Sequence, residues 1–122
     1  MDNERILVID DDENIVRILT LYLRSKGYDV VSCKSGSRAL SVFTDTKPDL
    51  VLLDVLMPEM DGFEVMRQIR ANAQWADIPV IFLTADVSPE TCEKGGALGA
   101  AGFMSKPLEA ERMISGVEAV IG

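Results

Sequence analysis

Short apolar runs alternate with amphipathic segments five times along the chain. Each run is four residues long and bounded by turn residues, which is typical of strands covered on both faces of a sheet. The runs occupy residues 6–9, 30–33, 50–53, 80–83 and 102–105. Between the runs, apolar side chains recur at helical spacing, as Ile15, Leu19 and Leu23 do before Gly27. We therefore expect five strands, each followed by a helix.

Two helix starts carry specific signals. Asp12 precedes Glu13 as a candidate N-cap, and Ser88 precedes Pro89, which suits a first helical position. Strands that alternate with helices through short connections favour a parallel sheet with right-handed crossovers. The predicted fold is therefore α/β, a (βα)₅ open doubly wound sheet, because a barrel needs eight strands. No repeat or linker interrupts the pattern, so residues 1–122 are expected to form one domain.

Polar side chains follow four of the five apolar runs. In open α/β sheets, binding groups collect at the carboxyl ends of the strands. The groups at this edge are Asp10, Asp11 and Asp12 after the first run, Asp54 at the end of the third, Thr84 at the end of the fourth and Lys106 after the fifth. Each alone has an ordinary structural explanation, but their joint placement predicts a functional site.

The composition limits the chemistry of this site. The net charge is −8 at pH 7, histidine is absent, and Cys33 and Cys92 lack metal-ligand spacing. Zinc is therefore disfavoured, as is direct binding of nucleic acid, which needs clustered Lys and Arg. No apolar run is long enough to span a membrane, and no signal peptide is visible. We therefore expect a cytoplasmic protein that does not contact the membrane.

Crowded carboxylates repel one another unless a cation lies among them. Mg²⁺ prefers oxygen ligands and accepts one or two carboxylates with water and phosphate, and Mn²⁺ can substitute for it. Asp54 would then attack a phosphoryl donor and form an acyl phosphate. Besides the cation, the Lys106 ammonium and either the Thr84 hydroxyl or a nearby backbone N–H would offset the charge of the phosphoryl oxygens.

These residues resemble the receiver domain of two-component response regulators. The similarity covers essentially the whole chain and rests on residues 6–12 (Ile-Leu-Val-Ile-Asp-Asp-Asp), 54–62 (Asp-Val-Leu-Met-Pro-Glu-Met-Asp-Gly), 84–85 (Thr-Ala) and 106–107 (Lys-Pro). The central segment is highly specific for that family. The resemblance implies a five-stranded sheet in the order 2-1-3-4-5.

The resemblance also implies a role for each acidic residue. Asp54 would accept a phosphoryl group from a histidine kinase or a histidine phosphotransfer protein. Asp11 and Asp54 would bind Mg²⁺ directly and Asp10 mainly through water, while the backbone carbonyl of Leu56 would complete the protein ligands. Leu56 and Asp86 would flank the phosphoryl group.

A switch is implied as well. Thr84 and Lys106 would coordinate the phosphoryl group, and Lys106–Pro107 resembles the family's cis peptide. Phosphorylation would draw Thr84 inward and Phe103 would follow, although Phe103 alone is equally well explained as a core residue. The surface around helix 4, strand 5 and helix 5 would then change its affinity for a downstream protein or output domain. The chain would be a signalling domain and not an enzyme, apart from self-phosphotransfer and slow autodephosphorylation.

Three other interpretations are weaker. In an aspartate-nucleophile phosphatase of the haloacid dehalogenase type, Asp10 and Asp12 would be the nucleophile and the acid/base. The chain is short for that family, lacks a cap insertion and leaves the 54–62 segment without a role. A flavodoxin-like cofactor binder would need a hydroxyl-rich or glycine-rich phosphate loop after the first strand. A degenerate receiver is disfavoured because every acceptor-site residue is present.

The fourth helix contains two adjacent glycines, Gly95 and Gly96. An interior glycine costs about 1 kcal/mol relative to alanine. The pair predicts that this helix is the most mobile one in the fold.

Overall fold

A computed structural model describes residues 3–121 as five strands that alternate with five helices. The strands are β1 (Arg5–Ile9), β2 (Asp29–Cys33), β3 (Leu50–Asp54), β4 (Val80–Thr84) and β5 (Gly102–Ser105). The helices are α1 (Glu13–Ser25), α2 (Gly36–Thr46), α3 (Gly62–Ala71), α4 (Pro89–Ala97) and α5 (Ala110–Ile121). Each apolar run of the sequence lies within one of these strands.

All neighbouring strands are parallel, and their order is β2-β1-β3-β4-β5. The predicted fold class and strand order are therefore confirmed. In the register, Ile9 lies opposite both Cys33 and Leu53, and Thr84 lies opposite Ser105. The carboxyl ends of the strands consequently meet at one edge of the sheet.

The sheet separates two apolar layers. Leu7, Leu53 and Phe82 face one layer, which α2 and α3 cover. Ile6 and Leu52 belong to the other layer, which α1 and α5 cover. Because β3 and β4 are buried at every position, apolar packing on both faces fixes the ends of these strands and the polar residues that follow them.

The two predicted N-caps are confirmed. An Asp12 side-chain oxygen accepts hydrogen bonds from the backbone N–H groups of Asn14 at 2.9 Å and Ile15 at 3.3 Å. The Ser88 hydroxyl caps α4 by accepting from the N–H of Thr91 at 3.4 Å. None of the helices within residues 3–121 is long and apolar enough to cross a membrane.

Arg70, on α3, connects three backbone segments. Its guanidinium donates to the carbonyls of Leu98 at 3.2 Å and Gly99 at 3.0 Å, just after α4, and to that of Ile78 at 2.8 Å, just before β4. The guanidinium has five donors in a fixed planar arrangement, so one side chain can bind several carbonyls at once. Arg70 therefore anchors the C-terminal end of α4 to α3.

We predict that Arg70→Met lowers the free energy of unfolding by about 2 kcal/mol or more, because the carbonyls lose charge-assisted hydrogen bonds while the aliphatic stem is kept. Urea unfolding measures the change. Arg67→Met on the same helix is the matched control, because Arg67 makes only an exposed 3.5 Å pair with Glu64. It should change the free energy by less than about 0.5 kcal/mol. Equal effects of the two substitutions would contradict the assigned role of Arg70.

Candidate functional site

Three carboxylates meet at the carboxyl edge of the sheet. One oxygen from each of Asp10, Asp11 and Asp54 lies within 4.8 Å of the other two. Asp10 is completely buried, Asp54 is 4% exposed and Asp11 is exposed. The sequence-predicted metal ligands with side-chain oxygens are thus brought together in space.

Backbone hydrogen bonds hold the two buried carboxylates in place. The N–H of Asp10 donates to the carbonyl of Cys33 at 3.1 Å, which extends the pairing of β1 with β2. The Asp10 side chain accepts from the N–H of Asp12 at 2.9 Å. Asp54 is the last residue of β3 and lies opposite Leu83 in the register with β4. Both aspartates therefore sit on paired strand ends and not on free loops.

Lys106 brings the positive charge. Its Nζ lies 2.9 Å from Asp10 Oδ2 and 3.2 Å from Asp54 Oδ1. Its backbone N–H donates to the carbonyl of Thr84 at 2.9 Å, so the end of β5 is held beside the end of β4. The bond from Lys106 to Pro107 is cis. One ammonium therefore faces two buried carboxylates.

Gly62 lets α3 start directly against the backbone of Asp54. A Cβ at position 62 would lie 2.2 Å from the Asp54 carbonyl oxygen. The Gly62 N–H donates to the carbonyl of Val55 at 2.8 Å, which closes the loop after β3. Any larger residue would push α3 and Asp54 apart. The sequence marked Gly62 only as the last residue of the 54–62 segment, because a contact with backbone eight residues earlier leaves no local signal.

Burial and neighbouring charges shift the pKa values of Asp54 and Lys106. Burial, followed by the neighbouring charge of Asp10, raises the pKa of Asp54 from 3.8 to about 6, although Lys106 opposes the shift. Burial alone would lower the pKa of Lys106, but the hydrogen bond and charge of Asp10 and the charge of Asp54 outweigh it and raise that pKa. Lys106 thus stays an ammonium, whereas Asp54 carries a negative charge that its surroundings only partly stabilise.

The site fits a hard divalent cation. Asp10 Oδ2 is buried, and although the Lys106 ammonium contacts it, none of the donors in residues 3–121 gives it a well-aligned hydrogen bond. An unsatisfied carboxylate oxygen beside two further carboxylates is a ligand set that Mg²⁺ prefers. Leu56, whose backbone carbonyl is the fourth predicted ligand, is 70% exposed and lies two residues after Asp54.

Of the two proposed switch residues, Thr84 lies beside Lys106 and Phe103 lies three residues before Lys106 on β5, and the side chains of both are engaged elsewhere. Thr84 is 1% exposed, and its hydroxyl oxygen accepts from the N–H of Asp86 at 2.9 Å. The ring of Phe103 is half-buried and stacks on Phe82, with centroids 5.5 Å apart. A Cβ on Gly95 would lie 2.3 Å from the Phe103 ring.

Sequence reasoning missed how the loop between β4 and α4 is organised. The carboxylate of Asp86 accepts from the backbone N–H of Ser88 at 3.0 Å and from the hydroxyl of Thr91 at 2.8 Å. These bonds lower the pKa of Asp86, the Ser88 N–H most of all and the Thr91 hydroxyl next. The spacing of Asp86, Ser88 and Thr91 was the available signal, because a carboxylate just before a helix commonly binds N–H groups of its first turn.

Comparison with known proteins identifies the family to which this fold and site belong. The fold and the site together define a class of protein: an open doubly wound α/β domain with clustered carboxylates and a lysine at the carboxyl edge of its sheet. A family model described as "Response regulator receiver domain" matches residues 6–118. The chain therefore belongs to the family of response regulator receiver domains, which are signalling domains of two-component systems.

Curated relatives agree with this assignment. The alkaline phosphatase synthesis transcriptional regulatory protein PhoP of Bacillus subtilis is 39% identical over 119 residues, covering 98% of this chain and 49% of that protein. The probable transcriptional regulator ycf27 of Porphyridium aerugineum is 41% identical over 123 residues, covering 99% of this chain and 49% of that protein. The chain thus spans about half the length of these relatives.

Solved structures share the fold over almost the whole chain. Chemotaxis protein CheY4 of Vibrio cholerae superposes with a TM-score of 0.93 at 31% identity, covering 98% of this chain and 99% of that one. The signal receiver domain of a signal transduction histidine kinase from Syntrophus aciditrophicus gives a TM-score of 0.88 at 31% identity, covering 97% and 89%. The phosphatase alternative finds no support in these matches, and its nucleophile would be the fully buried Asp10.

We predict that Asp54→Asn stabilises the metal-free protein at neutral pH. Since the folded-state pKa of Asp54 is raised to about 6, its ionised form opposes folding above that pH by up to about 3 kcal/mol. Well below its ordinary pKa of 3.8 the carboxyl is protonated in both the folded and the unfolded states, so the gain should vanish there. Urea unfolding with EDTA across this pH range measures it.

The control for this prediction is Asp45→Asn, which changes an exposed carboxylate on α2. It should shift the free energy of unfolding by less than about 0.5 kcal/mol at every pH. A gain for Asp54→Asn that is independent of pH, or that grows as the pH falls, would show that charge burial is not its cause.

Proposed function

We propose that this receiver domain is controlled by phosphorylation of Asp54, with a histidine kinase or a histidine phosphotransfer protein as donor. The observation that carries the proposal is the position of Asp54 at the end of β3, 3.2 Å from the Lys106 ammonium and clustered with Asp10 and Asp11. A carboxylate oxygen of Asp54 attacks the phosphorus of a phosphohistidine, and a P–O bond forms as the P–N bond breaks. The imidazole leaves with the bonding electron pair and is protonated.

Asp10, Asp11 and Asp54, together with the backbone carbonyl of Leu56, are the proposed ligands of Mg²⁺, for which Mn²⁺ can substitute. When bound, the cation supplies positive charge against the carboxylates and the phosphoryl oxygens. Lys106, just after β5 at the same edge of the sheet, supplies a second positive charge. Its contacts with Asp10 and Asp54 already place the ammonium where negative charge would accumulate.

We further propose that Thr84 and Phe103 report the phosphoryl group to the surface formed by α4, β5 and α5. A phosphoryl group on Asp54 offers oxygen acceptors to the Thr84 hydroxyl, which would have to leave its bonds to Asp86. Phe103 belongs to β5, and its ring lies against Gly95 of α4, so a movement of the ring would affect both β5 and α4. Because the relatives named transcriptional regulators are about twice as long, the proposed recipient is an output domain or a separate downstream protein.

Incubation with acetyl phosphate and Mg²⁺ should add a single phosphoryl group to the chain, detected by intact mass. The gain should be absent in Asp54→Asn and in the presence of EDTA, because the nucleophile or the cation is then missing. Asp45→Asn, with its exposed carboxylate far from the cluster, should be modified like the parent. Retained modification of Asp54→Asn would contradict the assignment, and turnover of many phosphate esters would point to the phosphatase.

The adjacent glycines of α4 allow a matched test of the Phe103 position. We predict that Gly95→Ala displaces the Phe103 ring, because the added Cβ would also lie 3.1 Å from the fully buried Phe82. Gly96 is exposed, and a Cβ added there would have no neighbour within 4 Å, so Gly96→Ala should stabilise the protein by about 0.5–1 kcal/mol.

Loss of the nuclear Overhauser contacts between the Phe82 and Phe103 rings in Gly95→Ala, and their retention in Gly96→Ala, is the expected result. If both substitutions stabilise the protein equally and leave the ring contacts unchanged, Gly95 has no part in positioning Phe103.

A further inference from the structure

The hydroxyl of Thr84 is tied to its own loop. Its oxygen accepts from the N–H of Asp86 at 2.9 Å, and it lies 3.3 Å from the Asp86 carbonyl, to which it donates. Because Thr84 is 1% exposed, water cannot easily replace these partners. A displacement of the Thr84 side chain therefore acts first on the backbone of Asp86.

The side chain of Asp86 continues this connection into α4. One carboxylate oxygen accepts from the N–H of Ser88 at 3.0 Å, and the other accepts from the hydroxyl of Thr91 at 2.8 Å. Hydrogen bonds to a charged acceptor are stronger than those between neutral groups. Asp86 is thus bound through its backbone to the end of β4 and through its carboxylate to the first turn of α4.

The hydroxyl of Thr91 is not itself the cap of α4. The Ser88 hydroxyl fills that role by accepting from the Thr91 N–H at 3.4 Å, and it also donates to the Thr91 hydroxyl at 3.3 Å. Thr91 is nevertheless buried, 9% exposed, and lies one turn before Gly95 on the inner face of α4. A buried hydroxyl directed at a loop carboxylate, beside an existing cap, requires another explanation.

We infer that Thr91 is a positioning residue, which holds α4 to Thr84 through the Asp86 carboxylate so that the helix follows any displacement of the Thr84 hydroxyl. The connection is a property of the unmodified chain. That phosphorylation is what displaces Thr84 rests on the proposed function, and the two statements are tested separately.

The connection is tested by a double-mutant cycle read by amide hydrogen exchange in the unmodified protein. Thr84→Val and Thr91→Val each remove a hydroxyl with little change of shape. Thr84→Val should speed exchange of the α4 amides by about fivefold in the parent, the factor that one hydrogen bond of ordinary net strength gives. It should have little further effect in the Thr91→Val background, since coupled residues are not additive. An equal effect in both backgrounds, or no effect in the parent, overturns the inference.

Two further variants separate a positioning role from a purely structural one. Thr91→Ser keeps the hydroxyl and removes only the methyl group. In this background Thr84→Val should again speed exchange of the α4 amides, because the hydroxyl and not the methyl group makes the connection. Thr46→Val removes a similarly buried hydroxyl that binds the Val42 carbonyl within α2, and it should leave the response unchanged. If Thr91→Val does not fold, Asp86→Ala interrupts the same connection by removing the carboxylate.

The phosphorylated state is examined with acetyl phosphate and Mg²⁺, with mass and exchange measured on the same samples. The parent and Thr91→Val should gain the same single phosphoryl group, but α4 exchange should change upon modification only in the parent. An equal change of α4 in both proteins overturns the inference. Failure of the parent to gain a phosphoryl group defeats the proposed function, while the cycle in the unmodified chain still decides whether Thr91 positions α4.

Discussion

Two buried carboxylates face a single ammonium at the carboxyl edge of the sheet, and this imbalance of charge governs the site. Asp10 and Asp54 are held together because Asp10 directly follows β1 and Asp54 ends β3, two neighbouring strands with buried residues on both faces. The apolar packing of β1 and β3 thereby opposes the repulsion between them. Lys106 offsets only part of the negative charge of the two carboxylates.

The same imbalance explains the local instability at Asp54 and supports its proposed role as the nucleophile. Here burial and Asp10 raise the pKa of Asp54 to about 6, so its ionised form is accessible at neutral pH but only partly stabilised. Sites with strongly shifted pKa values often carry function for this reason.

The sequence predicted those features that depend on local pattern. Apolar runs revealed the strands, and the polar residue after each run located the edge at which Asp10, Asp54 and Lys106 meet. The caps at Asp12 and Ser88 were recognisable because a cap and its N–H partners lie within three residues. The order of the strands is not a local property, and it came from the resemblance to a family and not from periodicity.

Contacts between distant segments were out of reach of the same reasoning. Arg70 binds carbonyls up to 29 residues away, and the residues next to Arg70 in the sequence give no signal for these partners. Gly62 reads as an ordinary helix start until the Asp54 carbonyl is seen beside it. Asp86 was recognised as a neighbour of the site, but its bond to Thr91 depends on the exact path of the loop.

The adjacent glycines show how one sequence signal can have two physical meanings. Both Gly95 and Gly96 suggested a mobile helix because both lack a side chain. In the structure, Gly96 faces open space, whereas Gly95 is buried and gives the Phe103 ring room to pack. Low helix propensity alone explains the effect of Gly96 but not that of Gly95. The mobility of α4 therefore stays a prediction, and it depends on the contacts that hold this helix to the rest of the fold.

Those contacts distinguish α4 from the other helices. Each of the other four helices buries at least two apolar side chains, whereas α4 buries only Thr91 and Gly95, one a hydroxyl-bearing residue and the other without a side chain. Apolar burial fixes a helix broadly and without direction, but hydrogen bonds fix it at particular atoms. Because α4 depends on the Asp86 carboxylate at its start, on the Phe103 ring at its middle and on Arg70 at its end, its position follows from a few replaceable contacts. A helix held in this way can be moved by a small change at Thr84 without disturbing the two apolar layers that keep Asp54 in place.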